Sequence, residues 1–209
     1  MSLLLTLDAA LDGCGAGVVR DGVVLAERRQ AGMRGSAAAL PALAEAVLRD
    51  AAVAACQLDA VVATIGPGSF TGVRAALALA HGIGAAAGVP VWGVSVGMAL
   101  RAGVSVGRSV WVAVDSRRGR VFLDDGQTVI GVGLDALPAP AGAVAVAGDA
   151  AIGVASRLAG RGFDVMLLDE REVRAAGIAL ASVQASEARP LYVDGPEARP
   201  GRGMRPAPI

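Results

Sequence analysis

Nine residues, Gly66-Pro67-Gly68-Ser69-Phe70-Thr71-Gly72-Val73-Arg74, constrain the fold more than any other stretch of this chain. A strand-like apolar run over 58–65 precedes them, and a long Ala/Leu helical pattern begins at about residue 75. The glycines leave φ > 0 open and the proline fixes φ, so the segment reads as a tight strand-to-helix turn. Ser69 or Thr71 can cap the first N–H groups of the helix. Backbone donors at such a helix start attract anions. The turn is nevertheless not a phosphate loop of known pattern. It lacks GxxxxGK followed by Ser or Thr, and GxGxxG would need a glycine where Thr71 stands. The plainer reading is a structural connection that lets two backbones approach and sets a helix for partner contact. Arg74 falls in the first helical turn, where its charge opposes the helix dipole. That placement points to an outside carboxylate or a partner, with a solvated arginine as the alternative.

Composition removes several chemistries. All 19 basic residues are arginine, so a Schiff-base lysine, a Walker lysine and a lysine general base are excluded together. One histidine, His81, and two cysteines, Cys14 and Cys56, cannot assemble a Cys/His zinc site within one chain, and no metal site is expected. A Ser-His-Asp arrangement would need His81, which lies mid-helix and reads as structural. Formal net charge is zero and the pI is about 6.6, which gives no reason to expect a strong nucleic-acid or membrane surface. The chain is 54% hydrophobic but only 3% aromatic, so its core is built from Ala, Val, Leu and Ile. Residues 75–100 carry no Asp, Glu or Arg and exceed the length of a membrane span. Gly82, Gly84, Gly88 and Pro90 instead divide that run into a helix, a turn and a buried strand over 91–94. The first strand has no basic segment before it and is soon interrupted by Asp8 and Asp12, which is unlike a signal peptide.

The 209 residues suffice for one large or two small domains. The first hundred read as β-β-β-α-β-α-β: strands over 3–7, 15–20 and 23–30, with Asp21-Gly22 as a two-residue hairpin turn. A helix follows over 36–55, with Pro41 in or near its first turn. A strand over 58–65, a helix over 71–87 and a strand over 91–94 complete this half through right-handed crossovers. A second unit has strands over 109–115 and 120–124 around a polar turn and a Pro/Ala loop over 136–142. A strand over 143–147 and a helix opened by Gly148-Asp149 follow. A further strand over 163–168 and a last helix over 170–183 close the unit. Beyond 187 the chain is rich in Pro, Arg and Gly and reads as a surface tail. The expected architecture is α/β and two-lobed, of the actin, sugar-kinase and heat-shock-70 group (ASKHA), each lobe a mixed sheet with crossover helices. The expected division is an N-terminal lobe over 1–102, a smaller lobe over 103–186 whose last helix can pack back on the first, and a tail over 187–209.

Several segments carry a family resemblance. GPGSFTGVR, the helix after it and the following Gly-Val-Pro-Val-Trp-Gly-Val-Ser resemble the TsaB (YeaZ) family, bacterial partners in tRNA threonylcarbamoyladenosine synthesis. The first strand to Asp8 and the first helix with Leu40-Pro41 are similar too. So are the hairpin Asp115-Ser116-Arg117-Arg118-Gly119-Arg120-Val121-Phe122 and the segment Pro190-Leu191-Tyr192-Val193. The resemblance implies a cytoplasmic, non-catalytic scaffold or activating subunit. It would bind TsaD, the paralogue that transfers the threonylcarbamoyl group to the adenosine beside the anticodon. It also implies TsaE as a further partner with TsaD and nucleotide, a homodimer when alone, and tRNA reached only through the complex. Older names of glycoprotease type belong to the same group.

Within that resemblance Gly66, Pro67, Gly68, Ser69, Phe70, Thr71, Gly72 and Arg74 form the family turn. Leu40, Leu43, Val47, Ala75, Ala76 and Leu79 are the expected partner surface, a close-packing face on two Ala-rich helices. Asp8, Arg117, Arg118, Arg120 and Asp149 are candidates for proximity to nucleotide or tRNA. The first loop departs from the family: relatives read Asp-Thr-Ser, whereas this chain reads Asp8-Ala9-Ala10, so the hydroxyl donors are gone. Gly148-Asp149-Ala150 lacks the diglycine of a second phosphate loop, and the His-Ser that often opens the first helix is Gly35-Ser36. Weak autonomous ATP binding is therefore expected, with ATP or ADP only in an assembled complex. The competing expectation is an autonomous nucleotide-dependent phosphotransferase or hydrolase of the same fold, with Asp8, Asp115 and Asp149 as its acids.

Overall fold

The computed structural model describes residues 2–32 and 36–193. Gly35 and residues 194–209 of the tail lie outside the described residues. The first sheet starts as a meander of β1 (Leu3–Asp8), β2 (Cys14–Arg20) and β3 (Val23–Gln30). Asp21 and Gly22 both take positive φ, 50° and 82°, which makes the type I′ turn that an Asp-Gly pair favours. Two crossovers then add parallel strands. Helix α1 (Ser36–Asp50) leads to β4 (Ala60–Thr64), and α2 (Phe70–Ala87) leads to β5 (Val91–Val94). Pro41 lies beyond the first turn of α1, inside the helix. Helix α2 ends at Gly88 in the left-handed conformation, where glycine carries no Cβ penalty.

The run over 75–100, free of Asp, Glu and Arg, is thus helix, turn and strand, and its end is an unexpected short helix, α3 (Val96–Arg101). Ser95 caps α3 by accepting the Met98 N–H at 3.0 Å. Helix α2 is long and apolar enough to cross a membrane by composition alone, but it packs against β4 and β1 and buries Val73, Ala76, Leu77 and Ala80.

The second sheet comprises β6 (Ser109–Asp115), β7 (Val121–Asp124), β8 (Val129–Val132), β9 (Val144–Ala147) and β10 (Val165–Leu167) in the order β10-β9-β6-β7-β8. Helix α4 (Ala151–Gly160) covers one face of it. The expected last helix is much shorter than 170–183. It runs as α5 (Ala175–Ala181), with one 3-10 turn after it. Residues before it stay extended because Val173 is buried and its carbonyl accepts from Arg29 of β3. Helix α5 packs across β1 and β2 with α3 beside it, while α1 and α2 lie together on the other face. The chain then returns as β11 (Ser186–Glu187), antiparallel to β5 at the edge of the first sheet, giving the order β11-β5-β4-β1-β2-β3. The first core therefore joins Leu5, Leu7, Val61 and Val62 of the sheet to Leu40, Val47, Leu77 and Ile178 of the helices.

Candidate functional site

The glycine turn is fastened to the loop after β1. Ser69 N–H donates to the Ala10 carbonyl at 2.7 Å. A Cβ at Gly68 would run into that same carbonyl, and one at Gly72 would run into the carbonyl of Ala9. Only glycine lets the two backbones come this close. Of the two candidate caps, Ser69 does the work: its Oγ accepts the Gly72 N–H at 3.1 Å. The turn thus spends donors on the protein itself. The Ala-Ala of the first loop is buried, and Ala9 and Ala10 are each 2% exposed.

Asp8, at the end of β1, is buried. Its Oδ1 accepts from Thr64 Oγ1 at 2.8 Å and from Ala10 N at 3.1 Å. Its Oδ2 has no hydrogen-bond donor, and the nearest cation is Arg29 Nη1 at 3.7 Å. Burial pushes the carboxyl above its ordinary range, outweighing the opposing pull of Arg29, Thr64 and Ala10.

Asp149, at the start of the segment leading to α4, accepts from Asp115 N at 2.8 Å and from Arg117 Nη2 at 3.1 Å. Arg117 also sits 3.5 Å from Asp115 Oδ2. Burial raises Asp149, and the Asp115 and Asp12 charges add to it against the Asp115 N–H and Arg117. Other backbone donors of this loop are committed too: Gly148 N donates to the Glu170 carbonyl and Ala150 N to that of Ala113. The Arg120 guanidinium donates to the Gly131 carbonyl. Arg118 N donates to Ser116 Oγ at 3.3 Å. The hairpin end is therefore a knit turn with Arg117 neutralised by two carboxylates. Among the described residues no group of three His, Cys, Asp or Glu side chains is placed to hold a metal.

The expected partner surface needs correction. Leu40, Val47 and Ala76 are 1%, 0% and 0% exposed and belong to the first core. Periodicity had marked the face of α1 and α2 that meets the sheet. Leu43, Ala75 and Leu79 lie at its half-buried border. The face left to solvent carries Pro41, Ala42 and Glu45 on α1, and Arg74, Ala78, His81, Gly82 and Ala85 on α2. The Nε2 of His81 lies 3.0 Å from the Ala188 carbonyl, to which a ring N–H donates. Sequence reasoning missed the tail as part of this region. Leu191 N donates to the Ile65 carbonyl at 2.8 Å, and Tyr192 Oη accepts from Arg74 Nη2 at 2.8 Å. The Pro-Leu-Tyr-Val island was the available signal.

A cleft of about 570 Å³ opens elsewhere, between the ends of α3 and α5, lined by Met98, Arg101, Leu180 and Gln184 among others. Its guanidinium is bound to the carboxylate and carbonyl of Asp124 and to the Val110 carbonyl, so it offers no spare cation.

Comparison with known proteins agrees with this geometry. The model of a family described as "TsaD: tRNA N6-adenosine threonylcarbamoyltransferase" matches residues 29–160, more than half of the chain. A solved structure of YeaZ from Pseudomonas aeruginosa superposes with a TM-score of 0.74 at 25% identity, over 92% of this chain and 100% of that one. The chain belongs to the TsaB (YeaZ) family. Its α/β fold of two mixed sheets with helices is accordingly that of YeaZ. An uncharacterised protein of Mycobacterium tuberculosis is 36% identical over 96% of this chain and 95% of its own length. The tRNA threonylcarbamoyladenosine biosynthesis protein TsaB of Escherichia coli is 30% identical over 57% of this chain and 52% of its own.

Proposed function

We propose that this protein is a non-catalytic subunit in the synthesis of threonylcarbamoyladenosine on tRNA, acting in the cytoplasm by binding a TsaD-type transferase. The observation that carries the reading is the state of the two loops where a phosphate would sit. In the first, the Ala10 N–H is turned back onto Asp8 Oδ1 and the Ala10 carbonyl is taken by Ser69 N; in the second, Gly148 N donates to the Glu170 carbonyl and Ala150 N to that of Ala113. The acids Asp8 and Asp149 are buried or half-buried there; Arg117, beside Asp149, is already bridged to it, and Arg29, the cation nearest Asp8, is bridged to Glu172. A phosphate would meet negative charge without charge-assisted donors. Nucleotide would then belong to the assembled complex, with TsaE as a further partner, and tRNA would be reached through the transferase.

The partner-binding role falls to the solvent faces of α1 and α2, an Ala- and Gly-rich surface on which another helix pair can approach closely. The test is a reconstitution of threonylcarbamoyl transfer from TsaD, TsaE, tRNA and substrates, with and without this chain, beside ATP titration of the isolated chain. Transfer that depends on the chain, with no turnover by the chain alone, is the expected result. Tight ATP binding with turnover by the isolated chain would favour a phosphotransferase or hydrolase instead.

A further inference from the structure

We infer that Phe70, Arg74 and Tyr192 form a socket for an aspartate or glutamate carboxylate presented by the protein partner. The inference rests on the reading that this chain docks on a TsaD-type subunit. The socket joins two distant parts of the chain: Phe70 and Arg74 from the start of α2, and Tyr192 from 118 positions beyond Arg74. The Arg74 guanidinium lies 3.7 Å from the centroid of the Phe70 ring and 5.9 Å from that of Tyr192. The two rings stand 6.4 Å apart at 42°. The Tyr192 hydroxyl accepts from Nη2, which fixes the rotation of the guanidinium plane. The segment bearing Tyr192 is itself pinned, by Leu191 N on the Ile65 carbonyl and by the Ala188 carbonyl on His81.

Two features mark this cluster as a binding surface. First, the chain has only three Phe, two Trp and one Tyr. Yet Phe70 and Tyr192 are left 58% and 57% exposed, where the core gains little from them. Second, among the described residues Arg74 pairs with no carboxylate. Arg28, Arg29, Arg101, Arg108, Arg117 and Arg174 each have one; Arg161 and Arg171, which do not, donate instead to the Leu137 and Gly148 carbonyls, and Arg20 also lacks one among the described residues. A cation laid over the Phe70 ring and held at one nitrogen by the Tyr192 hydroxyl, with no carboxylate on its fork among the described residues, fits a bidentate carboxylate. Exposed aromatic and arginine side chains in one cluster are also the composition of interface hot spots.

RNA fits less well. Phosphate binding draws on several cations at once. The neighbouring positions Ala75, Ala78 and Leu79 are neutral, and Arg189 on the same strap is bridged to Glu187 at 2.6 Å.

The experiment measures the affinity of the full chain for the TsaD-type subunit of its own organism, by calorimetry, for wild type, Arg74→Glu, Arg74→Gln and Phe70→Ala. Thermal melts check folding, and Arg74→Gln stands in should the reversal fail to fold. The socket predicts that Arg74→Glu weakens pairing about 30-fold or more, the loss typical of a desolvated charge pair. Arg74→Gln and Phe70→Ala should fall between wild type and the reversal. A wild type that pairs while Arg74→Glu loses less than about fivefold, the scale of a solvated rim charge, overturns the socket alone. A wild type that does not pair overturns the partner reading and the socket with it. Binding of tRNA by the isolated wild type that Arg74→Glu abolishes would assign the rings to RNA and overturn the carboxylate.

Discussion

Gly72 lies at the third position of α2, where its backbone is ordinary helix and its lack of a side chain matters only for space. The carbonyl of Ala9 fills that space. Gly72→Ala must therefore push the first loop away from the turn, and a loss of about 1–3 kcal/mol is expected, read as a lower midpoint in a denaturant titration. An unchanged midpoint would mean the two loops are not in the close contact described. Asp8 gives a second residue-scale expectation, with a sign opposite to that of most acids. Its folded carboxyl is raised above the 3.8 of an ordinary aspartate, so the folded state keeps a proton that the unfolded state releases. Stability contributed at acid pH is lost as pH rises from that ordinary value through the folded one. Asp8→Asn keeps an oxygen for Thr64 and Ala10 but cannot ionise. Its stability relative to wild type should be higher near neutral pH than at acid pH, and melts across pH check it.

At the scale of elements, the alternation of apolar residues and the turn chemistry made most of the first lobe readable. Asp21-Gly22 marked a hairpin, and the Gly-Val-Pro after α2 marked its end. Other elements were hidden for physical reasons. Helix α3 is only six residues long and sits within a continuous apolar run, where period cannot be told. The start of α5 was misplaced because its boundary depends on β3, far away in sequence. Arg174 N-caps α5 without a side-chain cap; instead Ala175 N–H donates to Glu27 Oε1 at 2.9 Å, and Arg174 Nη2 reaches Glu27 Oε2 at 2.7 Å. Burial tends to raise Glu27, but the Arg174 and Ala175 hydrogen bonds and the Arg174 and Arg29 charges outweigh it and hold it low. Its stabilisation is present above the ordinary glutamate range and is lost as pH falls through the folded value. Glu27→Gln should cost about 1–2 kcal/mol near neutral pH, shrinking toward nothing in acid, and hydrogen exchange should localise the loosening to α5. Equal protection of α5 in both proteins would refute the cap. The partner surface failed for a related reason. The period of α1 and α2 identifies Leu40 and Val47 as sharing a face, but the larger residues of that face seek the sheet and leave Ala and Gly to solvent. Ala78→Glu is accordingly expected to abolish pairing with TsaD at little cost to the melt, because Ala78 is exposed. Retained co-purification would remove α2 from the interface.

For the molecule as a whole, the family was legible in contiguous motifs, whereas the socket was not, because Tyr192 and Arg74 meet only after folding. Removal of residues from 186 onward should leave the edge of β5 unpaired and the glycine turn open on one side. Such a truncation should melt earlier than the full chain and pair more weakly, measured by scanning calorimetry and by pull-down; full pairing would show the strap to be dispensable.

The return of β11 to the first sheet also orders events in time. A ribosome releases the strands of that sheet from the N-terminus onward, yet the strand that seals its edge, and the tyrosine that meets Arg74, are made after every other described element. A nascent chain therefore exposes α1 and α2 long before it can offer Arg74 in its stacked form. Under the docking proposed above, recognition of the finished surface would double as a check that synthesis has run to the strap, and half-made copies would compete poorly for the partner.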